Sequence, residues 1–471
     1  MLHPLRFLTA AGLTLVMAGV GAETTETPAE VQTKEPSSVI LIIGDGFDDQ
    51  HVTMARNYLV GMDGELTLDT LPVRSAVQVQ TVGQDTPWQY VADSANTATA
   101  LASGTATQMG RVGTGPADLD LETIAEQAAA AGFKTGIVSS SSVTDATPAS
   151  FMAHVANRGC ENPETILGGT LYGVEFPGCP QDAVGNGGPG SIAEQIINSP
   201  IDVVLGGGQK HFAVSRPGET QTLLDMAAAQ GIAVVTDRDN LTSADRQKRL
   251  LGLFAPSHLP VRLQGSGGRR AEQPDTSLLN QLDWRLGSVI QPEPMNCEAN
   301  PDYGLTPSLA MLTEVAIDRL NRDNARGFFL MVESASIDKQ AHGRNPCGSI
   351  GEVEQLEEVL AIALTHAEIH PETLVIVTAD HAQAAQIIPE PSLFAQIPVP
   401  IFSPGHVARL TMADGSLMTI NYATNTFRAE EHTGANVPLF ANQQALGRIP
   451  TFLRQREVYD VMVDYLGLTS P

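Results

Sequence analysis

Short apolar runs recur along the chain, and three of them run straight into an acid. VILIIGDG delivers Asp45, GFFLMVE delivers Glu333, and TLVIVTADH delivers Asp380 with His381 behind it. Amphipathic helical stretches alternate with the runs, the signature of a parallel sheet with helical crossovers. The pattern predicts strands over Ser38–Ile43, Lys134–Val138, Asp202–Leu205, Ile232–Val235, Phe328–Val332 and Thr373–Val377. It predicts helices over Leu121–Ala131, Ser191–Asn198 with a capping box from Ser191 and Glu194, Ser308–Asn321 and Glu352–His366. The fold class is α/β, a central mostly parallel sheet sandwiched by helices. Segments 160–190 and 385–430 are rich in Gly, Pro and short irregular pieces, and they read as surface insertions, the second rimming a site or an interface.

Open α/β sheets bind ligands beyond the carboxyl ends of their strands. A single acid there is usually a helix cap or a solvated turn. Several on one edge repel strongly, and bound cations are the natural remedy. A fourth run, FKTGIV, leads through a Ser-rich turn to Asp145 and Thr147. Asp338 and His342 are spaced i, i+4, so one helix face can present both. His432 lies in the polar EEHTG, which offers no core to bury it. Carboxylate with imidazole suits zinc, and all-oxygen sets suit magnesium. His154 and His211 read as structural, without acid partners. Ser94, in VADSANTATA, is placed at a helix N-terminus, favourable for a phosphoryl group, although such a Ser can also be a plain N-cap. Arg158 could grip two phosphate oxygens with its planar fork. There is no G-x-x-x-x-G-K-[ST], H-E-x-x-H or G-x-S-x-G motif, so NTPase, zinc protease and serine hydrolase readings lack support.

Acids outnumber bases 53 to 27, a formal charge of −26, which argues against nucleic acid or an anionic membrane as partner. Only five of the bases are Lys, and such a surface suits high salt, where screening relieves self-repulsion. Residues 1–22 carry Arg6, an apolar run and Val20-Gly21-Ala22, and read as a cleaved signal peptide. Residues 23–37 read as a flexible leader, and 38–471 as one catalytic domain. Export to the periplasm or beyond makes disulfides the expected state of the four cysteines. Of three possible pairings, loop closure favours Cys160–Cys179 and Cys297–Cys347.

The stretches IIGDGF, VADSANTATA, TDATPASFMAHVANR, VLGGGQKHF, GFFLMVESASIDKQAHGRNPCG, LVIVTADHAQAAQI and EEHTG occur in the order found in bacterial secreted alkaline phosphatases, which the chain resembles over about residues 38–469. The Cys pattern resembles that family's two local disulfides. The resemblance implies an alkaline phosphatase-like fold and hydrolysis of small phosphate monoesters through a phosphoserine on Ser94, at alkaline pH, by a homodimer with two zinc ions and one magnesium per chain. It assigns Asp338, His342 and His432 to the first zinc, and Asp45, Asp380 and His381 to the second. Asp45, Thr147 and Glu333 would hold the magnesium, which Asp145 touches through water. Lys339 would reach phosphate through water, and Arg158 would clamp it. Gln383 stands where many members have a His near the zincs. Two other readings compete with this one. A diesterase or sulfatase on the same scaffold would need a second ester arm or a C/S-x-P-x-R context. A non-catalytic phosphate or metal binder would need no nucleophile.

Overall fold

The computed structural model describes residues 37–468 except 172, 391–395, 398 and 401. The expected signal segment 1–22, and the leader 23–37 up to its last residue, lie outside the described residues.

Ten strands form the main sheet in the spatial order Phe452–Arg454, Val73–Gln78, Val437–Ala441, Thr373–Ala379, Ser38–Gly44, Phe328–Ser334, Lys134–Ser142, Val203–Gly207, Leu250–Leu253, Ala233–Val235. Val437–Ala441 runs antiparallel to both its neighbours, and every other pairing is parallel. The three central strands are buried along their whole length. A strand buried on both faces requires a layer on each. Helices Leu309–Asn321, Pro346–Ile369 and Gln455–Leu466 pack against the central strands to supply them.

Register then decides where the acids go. Gly44 lies level with Ser334 on one side and with Ala379 on the other. Asp45, Glu333 and Asp380 therefore leave the sheet at one edge. All six strands expected from the apolar runs are present. Val73–Gln78, Leu250–Leu253, Val437–Ala441 and Phe452–Arg454 complete the sheet, and they are short or carry polar residues that hide the run.

Some expectations need correction. The Ser-rich turn after FKTGIV is strand, because Ser139 pairs with Glu333 in the ladder, and the hydroxyls of Ser139 and Ser141 donate to the Glu333 carboxylate. The helix expected from Leu121 starts at Ile124. Thr123 caps it in a box with Glu126, and Leu121 donates its N–H back to Gly113. The helix expected over Glu352–His366 is longer, from an Asn345 cap and Pro346 to Ile369. Segment 385–430 carries a three-stranded antiparallel sheet of Gln386–Ile388, Leu417–Tyr422 and His406–Thr411. Leu410, Met418, Ile420 and Tyr422 join Met54, Ala341, Cys347 and Ile350 in a second apolar core, so the strands Leu417–Tyr422 and His406–Thr411 are packed structure.

Both disulfides form as loop closure favours, Cys160–Cys179 and Cys297–Cys347. The second closes a span of 50 residues onto the start of helix Pro346–Ile369. Restricting an unfolded loop of that length is worth about 4 kcal/mol at most. Replacing Cys297 and Cys347 together by Ser is expected to lower unfolding free energy by about 2 to 4 kcal/mol. Equilibrium denaturation at neutral pH measures it.

Candidate metal centre

Ser94 is the first residue of helix Ser94–Ser103, and Asp93 is its N-cap. Asp93 accepts the N–H groups of Asn96 (3.2 Å) and Gly110 (3.0 Å). Capping is therefore done one residue earlier, and the Ser94 hydroxyl is released from it. Its Oγ lies 3.2 Å from His381 Nε2 and 3.4 Å from Asp45 Oδ1.

The histidines report their own tautomers. A carbonyl oxygen only accepts, so His342 Nδ1 donates to Glu430 O and His432 Nδ1 donates to Ala92 O (2.7 Å). Both Nε2 atoms are left as lone pairs. They stand 3.1 Å apart, and each faces Asp338 Oδ1, at 3.4 Å from His342 and 3.3 Å from His432. Three acceptors converge with no proton among them, an arrangement that a cation satisfies. His381 repeats the pattern. Its Nδ1 donates to Ala382 O (3.2 Å), leaving Nε2 3.4 Å from Asp45 Oδ1 and 3.5 Å from Asp380 Oδ2. Donor atoms of Asp338, His342 and His432, and of Asp45, Asp338 and His381, each group within 4.8 Å. Asp338 thus stands between the two groups.

Asp380 Oδ2 and Thr147 Oγ1 are buried without any hydrogen-bond partner among the described residues. Such orphans are rare and need a reason, and coordination to an ion supplies one. The donor sets around Asp338, His342 and His432 and around Asp45, Asp380 and His381 combine imidazole nitrogen with carboxylate, a chemistry that fits divalent metal ions.

The cationic side is fixed in advance. Arg158 Nη2 binds Asp145 Oδ1 (2.9 Å) and its Nη1 binds Asp93 Oδ2 (3.3 Å). Lys339 Nζ lies 3.0 Å from Asp145 Oδ2 and 3.2 Å from Asp45 Oδ2. Burial alone would raise the Asp145 carboxyl, but Lys339 and Arg158 outweigh it and hold the group far below the carboxylate range. Gln383 Nε2 donates to Asp338 Oδ1 (2.6 Å). Ser94, Asp145, Arg158, Asp338, Lys339, His342 and His432 line one cavity of about 520 Å³.

Two residues left as structural have acid partners after all. His154 Nε2 lies 3.0 Å from Glu126, and His211 Nε2 lies 3.2 Å from Glu161. His154 is brought to Glu126 by the helix that Thr123 caps. His211 belongs to the far wall of that cavity, together with Glu161, Lys210 and His258. The sequence signal for that wall is slight: one Lys, in a chain with few, just beyond the strand Val203–Gly207.

The family model for alkaline phosphatase matches residues 37–445. The chain belongs to the alkaline phosphatase family. It is 37% identical over 457 residues to the alkaline phosphatase of Escherichia coli K12, covering 95% of this chain and 90% of that one. It is also 37% identical over 472 residues to a streptomycin-6-phosphate phosphatase of Streptomyces griseus, covering 98% and 96%. The alkaline phosphatase structure from the Antarctic bacterium TAB5 superposes with a TM-score of 0.63 at 21% identity, over 93% of this chain and all of that one. This alkaline phosphatase is a metal-dependent phosphoric monoester hydrolase. Among the described residues no helix is long and apolar enough to cross a membrane.

Two tests follow from the acid cluster. Without metal, Glu333 is pushed up to about 8, first by burial and then by the charge of Asp45. Burial and then Asp338 raise Asp45, and burial and then Asp45 raise Asp380. An acid held above its unfolded value contributes stability that is whole below the unfolded pKa and lost as pH rises through the folded one. Chelator-treated protein is therefore expected to lose stability steadily from about pH 4.5 through pH 8. Metal-loaded protein is expected to be flatter, and paired denaturation curves across that range decide the matter. Thr147→Val removes an orphaned hydroxyl, so metal-free protein is expected to gain about 1 kcal/mol. Elemental analysis of the same variant should show magnesium lost.

Proposed function

We propose that hydrolysis runs through a covalent phosphoserine on Ser94, at alkaline pH, with two zinc ions and one magnesium per chain. The observation that carries this reading is the Ser94 hydroxyl, relieved of capping by Asp93 and placed 3.2 Å from His381 Nε2 and 3.4 Å from Asp45 Oδ1. When bound, the divalent ions lower the pKa of the serine hydroxyl and balance negative charge on the transferring group.

The first zinc is assigned to Asp338, His342 and His432, the second to Asp45, Asp380 and His381, and the magnesium to Asp45, Thr147 and Glu333. Ser94 Oγ bonds to phosphorus as the ester oxygen departs and becomes the alcohol. Water then cleaves the Ser94–phosphorus bond, giving inorganic phosphate and restoring the hydroxyl. Arg158 is oriented by Asp93 and Asp145 before substrate arrives, so its fork meets two phosphoryl oxygens at little ordering cost. Lys339, tied to Asp45 and Asp145, would reach the phosphate through water, and Asp145 would touch the magnesium through water.

The two disulfides support export to an oxidising compartment, in keeping with a signal peptide at 1–22. A homodimer is proposed by family likeness, and salt tolerance from the formal charge of −26. The central claim is tested with Ser94→Ala. Activity on p-nitrophenyl phosphate is expected to fall by at least about 10³-fold, since the nucleophile is gone. Zinc content should persist. A variant that keeps its rate excludes the covalent route.

A further inference from the structure

The catalytic cavity has more positive charge than one phosphoryl group needs. Two of the chain's five lysines line it. Lys339 is bound to Asp45 and Asp145, and Arg158 to Asp93 and Asp145. Lys210 is different. It lies in the turn beyond strand Val203–Gly207, it is exposed, and among the described residues it forms no ion pair.

Its neighbours explain why it stays free. Glu161 Oε1 already accepts the Thr144 hydroxyl (2.9 Å) and faces His211 Nε2 (3.2 Å). The Asn162 amide lies 3.0 Å from His211 Nδ1, so that nitrogen accepts and the ring proton sits on Nε2, which faces Glu161. The local carboxylate is thus engaged by the Thr144 hydroxyl with His211 beside it. His258 is the second available group. The N–H of Ser142 donates to its Nδ1 (3.2 Å), which leaves Nε2 carrying the proton on a side chain 40% exposed. A loose ammonium and a spare imidazole N–H therefore share the wall beside the phosphoryl site.

We propose that Lys210 and the Nε2–H of His258 form a subsite for a second anionic group, a carboxylate or phosphate, on the alcohol part of the ester. This rests on the phosphomonoesterase reading above and names its substrate class: phosphate esters of alcohols that are themselves anionic. In a chain of charge −26 the long-range field repels such substrates, and a local cation in the cavity offsets that repulsion where it matters.

The test uses two near-isosteric esters, 3-phosphoglycerate and glycerol 3-phosphate, which differ by a carboxylate in place of a hydroxymethyl group. The metal-loaded wild type is expected to favour the carboxylated ester in kcat/KM. Lys210→Gln is expected to lower that preference about fivefold, mostly through KM, as suits one partly exposed ion pair. Lys210→Arg should restore it, and added salt should weaken it in the wild type but not in Lys210→Gln. No preference in the wild type, or an equal preference in Lys210→Gln, overturns the subsite. Failure of the wild type to hydrolyse either ester or p-nitrophenyl phosphate would instead refute the monoesterase reading itself.

Discussion

Three acceptor atoms with no proton to share govern this molecule. His342 Nε2, His432 Nε2 and Asp338 Oδ1 sit within 3.4 Å of one another, and each histidine has spent its proton on a backbone carbonyl. Held so in a mostly buried site, lone pairs repel, and the hydrogen bond from Gln383 Nε2 to Asp338 Oδ1 leaves both histidine nitrogens without a donor. The same logic extends to Asp380 Oδ2 and Thr147 Oγ1, which are buried and unbonded. A protein meets such costs only where a ligand repays them. The metal requirement thus follows from where protons are absent, not merely from which residue types are near.

The sheet makes the convergence possible. Parallel strands in register bring residues from distant parts of the chain to one edge, each at the end of its own strand. Asp45, Glu333 and Asp380 stand side by side because Gly44, Ser334 and Ala379 do. The helices that follow then set the remaining donors. Asp338 takes its backbone partner from Asp45 O (2.8 Å), so helix Ser336–His342 is pinned to the first strand's exit. The strands Leu417–Tyr422 and His406–Thr411 pack against Ala341, on the same helix. Past them the chain returns through Glu430, whose N–H donates to His342 O and whose carbonyl receives His342 Nδ1.

Much of this could be read before any coordinates. The three long apolar runs ending in acids located the edge, because burial on both faces leaves an unbroken apolar signature. A helix cap was legible where residue chemistry is local, as in the box of Ser191 and Glu194. Strands such as Val73–Gln78 were not, since alternation with Arg74 and Ser75 masks a strand that the sheet itself stabilises. The role of Ser139 and Ser141 was also hidden. Hydroxyl-rich sequence reads as turn, and only the neighbouring Glu333 turns it into strand. The far cavity wall was least visible, because Lys210 comes from the short helix Gln209–Phe212 and Glu161 and His258 from two separate loops, with no shared spacing.

Gln383 sets the orientation of Asp338 through hydrogen bonds of its own. The Ala384 N–H donates to its Oε1 (2.7 Å), which fixes the amide and aims Nε2 at Asp338 Oδ1. That bond occupies a lone pair on the oxygen that both His342 and His432 face. An imidazole there could give the same bond, but its charge would change with pH near neutrality. An amide cannot titrate. The orientation of Asp338 is therefore held identically across the pH range in which the enzyme works, and no proton on the supporting side chain competes with a cation for the carboxylate.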